Sequence, residues 1–281
     1  MARYDLPDEA WTIIQPLLPA KPASPRAGHP WAEHCMIING MFWVVCSGAP
    51  WRDLPERYGP WKTLYNRFNR WSKSGVINII FNRLLSSLDA HGLVDWSATA
   101  LDGSNIRELR CAAGAHKKHP DITGDNSLGR SRGGFGTKIH LATDGSGLPL
   151  NIVLSPGQAH ESKFAQHLLG GIGVQRHNGS MKRRDHAVPA DKAYSGHALR
   201  NELKKGIKTV IPRKSNEKMA SNGRSQLDRD AYRNRNVVER CFGRLKEYRC
   251  IATPARNYLA MVKLGCIRLF YKKVMQLRDT A

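Results

Sequence analysis

Acidic side chains are scarce in this sequence. It holds 23 Asp and Glu against 44 Lys and Arg, for a formal charge of +21 and a pI near 10.1. Such an imbalance disfavours a basic partner and points to a polyanion, with double-stranded nucleic acid first. Paired cysteine is also missing. The six Cys (Cys35, Cys46, Cys111, Cys241, Cys250 and Cys266) include no CxxC spacing, so neither a disulfide framework nor a zinc ribbon is expected. The N-terminus "MARYDLPDEAW" has no charged-then-apolar leader, and the expectation is a reduced, cytoplasmic chain. No apolar run reaches the roughly 20 residues a bilayer requires. The strongest, "CMIINGMFWVVCSG", is interrupted by Asn39, Gly40 and Ser47 and reads as a buried helix. Internal repeats and low-complexity tracts are absent too, which leaves periodicity and punctuation to define the plan.

What is present suffices for one large domain or two ordinary ones: 281 residues, 41% hydrophobic. Charge is uneven along the chain. Residues 1–95 hold 10 bases and 8 acids, residues 96–198 hold 13 and 8, and residues 199–281 hold 21 and 7.

Residues 7–18 carry Trp11, Ile14, Leu17 and Leu18 at helical spacing, and "KPASPRAGHP" then breaks the chain. In "WRDLPERYGPWKTLYNRFNRWSKSG", Trp61, Leu64, Tyr65, Phe68 and Trp71 form an apolar stripe, with Lys62, Arg67 and Arg70 elsewhere on the helix. A further helix is expected over about 76–90. These elements make residues 1–95 an all-α module, either a helical cap or a DNA-binding module of helix-turn-helix type.

From residue 97 the pattern changes to short strands. "TKIHLATDGSGLPLNIVLS" reads as a hairpin turning around Asp144 to Gly147. "HAVPAD" and "IKTVIP" are strands, each followed by a helical pattern. A hairpin followed by alternating strands and helices predicts an α/β domain over residues 96–281, a mixed sheet flanked by helices with basic helices at its C-terminal end.

Asp102 ends the strand "TALD" and Asp191 ends "VPAD", where open α/β sheets place functional groups, although an isolated Asp at a strand end commonly caps a turn. Pro189, two residues earlier, cannot donate to a ladder and argues against a central strand there. A helix through 232–249 would set Tyr232, Arg235, Glu239 and Lys246 within about 60° of one another. A surface Arg235–Glu239 pair explains two of the four. Three carboxylates from two strand ends and a helix also make a set of hard oxygen ligands for two Mg²⁺ ions acting on a phosphodiester.

Tyr232, Arg235, Glu239 and Lys246 satisfy the Y-x2-R-x3-E-x6-K signature, and the chain resembles bacterial insertion-sequence DDE transposases. "LDGS", "AAGAHKK", "GRSRGGFGTKIHLATDGSGLPLNIVLSPGQAHE", "ADKAYSG" and "NVVERCFGRLKEYRCIAT" are similar to the insertion-sequence-five type, as is "PWRDLPERYGPWKTLYNRFNRW". The resemblance implies a ribonuclease-H-like core and an Asp102, Asp191 and Glu239 triad that is both catalytic and metal-binding. It also implies two Mg²⁺ or Mn²⁺ ions and the cutting and joining of transposon ends to target DNA. Under it Tyr232, Arg235 and Lys246 position phosphates, a dimer holds both ends, and the protein works at the bacterial nucleoid. A nuclease without joining, or a DNA-binding protein without catalysis, would use the same residues. The Gly-rich "GRSRGGFGTK" lacks P-loop order and is expected to bring backbone to a phosphate, with Arg130, Arg132 and Lys138 supplying charge. "CAAGAHKKH" offers Cys111, His116 and His119, but no second ligand pair follows for zinc.

Overall fold

A computed structural model describes residues 4–20, 32–107, 127, 129–131, 134–172, 174–175, 181–182, 186–195, 197–203, 207–214, 227–248 and 255–278. Arg132 and the Cys111, His116 and His119 segment lie outside the described residues. The chain divides into two compact units, one of residues 1–88 with 245–281 and one of residues 89–244.

In the first unit, α1 (Asp8–Ile14), α2 (His34–Ser47), α3 (Trp61–Lys73), α4 (Val76–Ala90) and α9 (Ala255–Arg278) form a helical bundle. The sequence pattern placed α9 with the strands. Its composition explains its place in the bundle: Tyr258, Met261, Leu264, Ile267, Phe270 and Tyr271 are all buried, giving α9 apolar residues around much of its circumference. Phe270 stands 5.1 Å from Phe81 and Tyr271 6.2 Å from Phe42, ring centroid to centroid. α2 ends at Gly48 in the left-handed conformation that glycine adopts without a Cβ penalty. Arg67 departs from expectation. Instead of facing water it is buried on α3, with a guanidinium nitrogen 3.3 Å from His34 Nδ1 and its charge over the Trp71 ring.

The second unit is a mixed sheet with helices. β1 (Ala100–Arg107), β3 (Gly134–Thr143) and β4 (Pro149–Pro156) are antiparallel in the order β4-β3-β1, and the short β2 (Gly129–Ser131) also pairs with β3. Beyond β1 lies the parallel pair β7 (Ala187–Pro189) and β8 (Lys208–Val210), which meets β1 through one parallel bridge, Leu101 to Ala190. The remaining strands, β5 (Val174–Gln175) and β6 (Met181–Lys182), make a separate ribbon. The helices are α5 (Ala165–Gly170), α6 (His197–Leu203), α7 (Arg229–Arg233) and α8 (Asn236–Lys246).

Pro189 therefore does lie in a strand flanked on both sides. The hydrogen bonds show how it is accommodated. Lys208 N–H donates to His186 O and Ala190 N–H to Val210 O, while Thr99 N–H donates to Ala187 O, so from Ala187 onward the odd-numbered residues face β1 and the even-numbered ones β8. The donor that Pro189 lacks would face the β1 side, where Thr99 N–H donates to Ala187 O at 2.8 Å and Leu101 bridges to Ala190.

The β3–β4 turn is organised by Asp144, which is completely buried. Its carboxylate accepts from the N–H groups of Asp95, Ser146 and Leu148 at 2.9, 2.9 and 2.7 Å. An amide at this position keeps one of two acceptor oxygens and adds two donors with no use for them. Asp144→Asn is expected to lower the melting temperature by several degrees, since an unsatisfied buried donor costs about 1–3 kcal/mol. A thermal melt followed by circular dichroism checks this, and an unchanged midpoint would show that the turn holds without the carboxylate.

Candidate active site

Two acids are brought together by strand pairing alone. Leu101 and Ala190 form a parallel bridge, so the residues that follow them, Asp102 and Asp191, leave adjacent backbones side by side, about 4.8 Å apart. Asp102, expected to end its strand, instead lies within β1, because pairing with β3 carries the strand on to Arg107. Asp191 lies just beyond β7, where its carboxylate accepts from Lys192 N–H at 2.6 Å and caps a short 3₁₀ turn, Lys192–Tyr194.

Glu239 arrives from the helical side. The segment expected as one helix is two, broken at Asn234 and Arg235. Asp228 caps α7 by accepting from Ala231 N–H at 2.9 Å. Asn234 and Asn236 are weak helix formers that suit a junction. Tyr232 consequently sits on α7, Arg235 in the turn, Glu239 in the first turn of α8 and the exposed Lys246 in its last. The break keeps the side chains near one another. The Arg235 guanidinium is paired with Glu239, lies 3.6 Å from Asp102 Oδ1, and stands 5.7 Å from the Tyr232 ring centre. Val237, Val238, Cys241 and Phe242 bury the other side of α8, and Arg244 donates to Gly147 O at 2.9 Å, tying the helix to the hairpin turn.

Two family models match the chain. Residues 89–270 match "Transposase DDE domain" and residues 6–81 match "Putative transposase of IS4/5 family". The chain belongs to the IS4/5-type DDE transposases. Three curated relatives are similar to part of the chain. The "Insertion element IS402 uncharacterized 16.2 kDa protein" of Burkholderia cepacia is 36% identical over 42% of the transposase and 80% of its own length. The "Uncharacterized protein y4sN" of Sinorhizobium fredii is 29% identical over 40% and 83%. A Brucella ovis protein named for insertion sequence element IS6501 is 29% identical over 48% and 98%. No solved structure matches significantly.

DDE transposases are generally dependent on divalent metal. The donor set here suits a hard cation. Asp102 is four-fifths covered, and burial lifts its carboxyl from 3.8 to about 6, against a lowering by the Gly103 N–H and by Arg235. A buried carboxylate in this state is one whose ionisation a cation would favour. Among the described residues no three His, Cys, Asp or Glu side chains are gathered closely enough to enclose an ion.

A fourth carboxylate, Glu161, was not singled out from the sequence. It opens the 3₁₀ turn Glu161–Lys163 after β4, and its Oε1 would stand only 3.0 Å from a Cβ at position 103. Gly103 thus leaves room for it beside Asp102, whose carboxyl it pushes upward. Its position after the third long strand, in "GQAHE", was the available signal. Lys138, expected at a phosphate, is used here: it pairs with Glu161 at 3.4 Å and donates to Ala159 O at 3.1 Å. Arg130 is exposed on β2.

A buried polar group supports the Asp191 turn. His140, fully enclosed on β3, has Nε2 2.8 Å from Ser155 Oγ and Nδ1 3.4 Å from Tyr194 Oη, and stacks on Phe164. Burial holds its pKa down to about 4, so the ring is neutral at physiological pH. Tyr194 in turn donates its N–H to Asp191 O at 2.9 Å.

No helix of the described residues is long and apolar enough to cross a membrane.

Proposed function

We propose that this transposase binds the ends of an insertion sequence, cuts them by metal-dependent hydrolysis and joins them to target DNA, using a ribonuclease-H-like core. The observation that carries the reading is the meeting of Asp102 and Asp191 at the Leu101 to Ala190 bridge, with Glu239 tied to Asp102 through Arg235. The strand order β4-β3-β1-β7-β8, three antiparallel strands followed by two parallel ones, supports the ribonuclease-H-like assignment.

In the first reaction a water oxygen bonds to the phosphorus at the element's end and the bond to the 3′-oxygen breaks, leaving a 3′-hydroxyl. In the second that hydroxyl bonds to a target phosphorus and displaces a target 3′-oxygen. Divalent metal, when bound, lowers the pKa of water and offsets the charge gathering on the phosphate. Asp102, Asp191 and Glu239 would hold it. Arg235 has five N–H donors, enough to orient two carboxylates and still offer one to a phosphate. Tyr232, Lys246, Arg130, Arg132 and Lys138 are the other phosphate contacts in this reading, Lys138 through its hold on Glu161 as much as directly. Two protomers would hold two ends.

The test is a supercoiled plasmid carrying both ends, incubated with the protein in Mg²⁺ and resolved on a gel for nicked and joined products. Joined products are expected. Nicking alone reduces the protein to a nuclease, and retention without nicking reduces it to a DNA-binding protein. Lys246→Ala should bind metal normally and slow cleavage about tenfold to a hundredfold, the equivalent of one charge-assisted contact.

A further inference from the structure

One helical face of the first unit combines cations with amide and hydroxyl side chains and holds no acid. On α3, Lys62, Thr63, Asn66, Arg70 and Lys73 are all exposed and fall within about 100° of arc at 100° per residue. The helix contains no acid. Its opposite side is locked in place: Leu64, Arg67, Phe68 and Trp71 are buried, and Trp51 stands 5.6 Å from Tyr65 and 5.2 Å from Phe68. At the helix's N-terminal end Arg52 and Lys62 lie 5.7 and 5.9 Å from the Trp61 ring centre, adding charge beside an accessible indole.

We infer that this face of α3 enters the major groove of the element's end and reads its bases. The inference rests on the proposal that the protein binds such ends, and assigns the reading to one helix. Three features fit that occupant. The face carries three cations and no anion, which complements the phosphates of a duplex. Lys62 and Lys73 are about 16 Å apart along the axis, the rise of about five base pairs, and bracket Thr63, Asn66 and Arg70 as phosphate contacts bracket a base-reading segment. Between them Asn66 and Arg70, one turn apart, are the residue types that make paired hydrogen bonds to adenine and guanine edges. The neighbouring helix α4 does not match. Its outward positions are Asn78, Ile79, Asn82 and Arg83, and Ile79 is the exposed large hydrophobic residue of the described surface.

Because all five side chains are exposed, their removal leaves the bundle's core intact, and a thermal melt verifies that. Fluorescence anisotropy of the full chain is measured against a duplex containing the element's terminal inverted repeat and an unrelated duplex of equal length. Wild-type protein is expected to prefer the repeat. Asn66→Ala and Arg70→Ala should each lower that preference about fivefold to a hundredfold, with little change on unrelated DNA. The double variant Lys62→Ala with Lys73→Ala should weaken both duplexes alike and reduce the slope of log affinity against log salt by about two. Asn82→Ala with Arg83→Ala on α4 is the control and should change neither. If the wild-type preference survives Asn66→Ala and Arg70→Ala within twofold, or the α4 control lowers it equally, the assignment to α3 is overturned while end binding stands. If wild-type protein shows no preference, end binding fails and the assignment falls with it.

Discussion

Exchanging Arg235 and Glu239 is expected to abolish Mg²⁺-dependent nicking of end-containing DNA, a loss of at least a thousandfold, while the protein remains folded. Were the two residues only a surface pair, the exchange would preserve their attraction and cost a few tenths of a kcal/mol. In the structure the pair is part of something larger. Arg235 also lies 3.6 Å from Asp102 and is largely covered, whereas Glu239 is half exposed at the entrance of α8. The exchanged protein would put a carboxylate against Asp102 and a guanidinium where an oxygen ligand is required, and arginine offers no acceptor at any accessible pH. Asp102→Asn, Asp191→Asn and Glu239→Gln should each give the same loss with DNA affinity kept or slightly raised. Glu247→Gln, exposed one residue beyond α8, is the control and should nick normally. A folded, active exchange variant would return Glu239 to a surface role and remove the mechanism with it.

Metal should stabilise the folded protein above about pH 6 and lose that effect below it. Burial raises the folded-state pKa of Asp102 to about 6 from an ordinary 3.8. With the sign of an acid raised on folding, stability falls as pH rises from about 4 to 6 and remains lowered above 6, because the unfolded chain releases this proton more readily. The deficit is at most about 3 kcal/mol. A divalent cation favours the ionised form and recovers part of it. Adding Mn²⁺ at pH 7.5 is therefore expected to raise the melting temperature by several degrees, and at pH 5 by almost nothing. Asp102→Asn should melt higher than wild type without metal at pH 7.5, yet gain nothing from Mn²⁺. Glu161→Gln removes a neighbouring negative charge that pushes Asp102 upward, so the onset of the metal effect should move to lower pH. Equal metal responses at pH 5 and 7.5 would mean that Asp102 is not the titrating ligand.

Much of this arrangement was legible because strand ends and turns announce themselves. "VPAD" and the Asp144 to Gly147 turn place β7 and the hairpin, and the spacing of four residues brings Arg235 and Glu239 together. "TALD" misleads, because β1 does not end at Asp102 but runs on to Arg107, paired with β3 throughout. Legibility failed where a local preference met a tertiary demand. Arg67 reads as surface on any charge-based pattern, yet His34 and Trp71 give its guanidinium partners inside the bundle. The continuous helix through 232–249 fits a periodicity count, but periodicity does not register a two-residue junction that keeps neighbouring side chains close. Glu161 could not be ranked above other acids, because its significance lies in the space left at Gly103, which is a property of a strand and a turn brought together. α9 carries six of the 21 bases of residues 199–281 in sequence and a bundle core in space.

Pro189 has a consequence for assembly. A parallel strand slipped by one residue turns every side chain to the wrong face, and such a slip of β7 would direct Asp191 away from Asp102. The proline makes that error costly in a way an ordinary residue would not. In the native register its missing donor faces the β1 side, which is joined by the Leu101 to Ala190 bridge and the Thr99 to Ala187 bond; one step out of register it would face β8, where β7 forms three consecutive pairs, and a backbone carbonyl would lose its bond. A residue that looks out of place in a strand thus acts as a key cut for one lock, and the lock is the register in which the two acids meet.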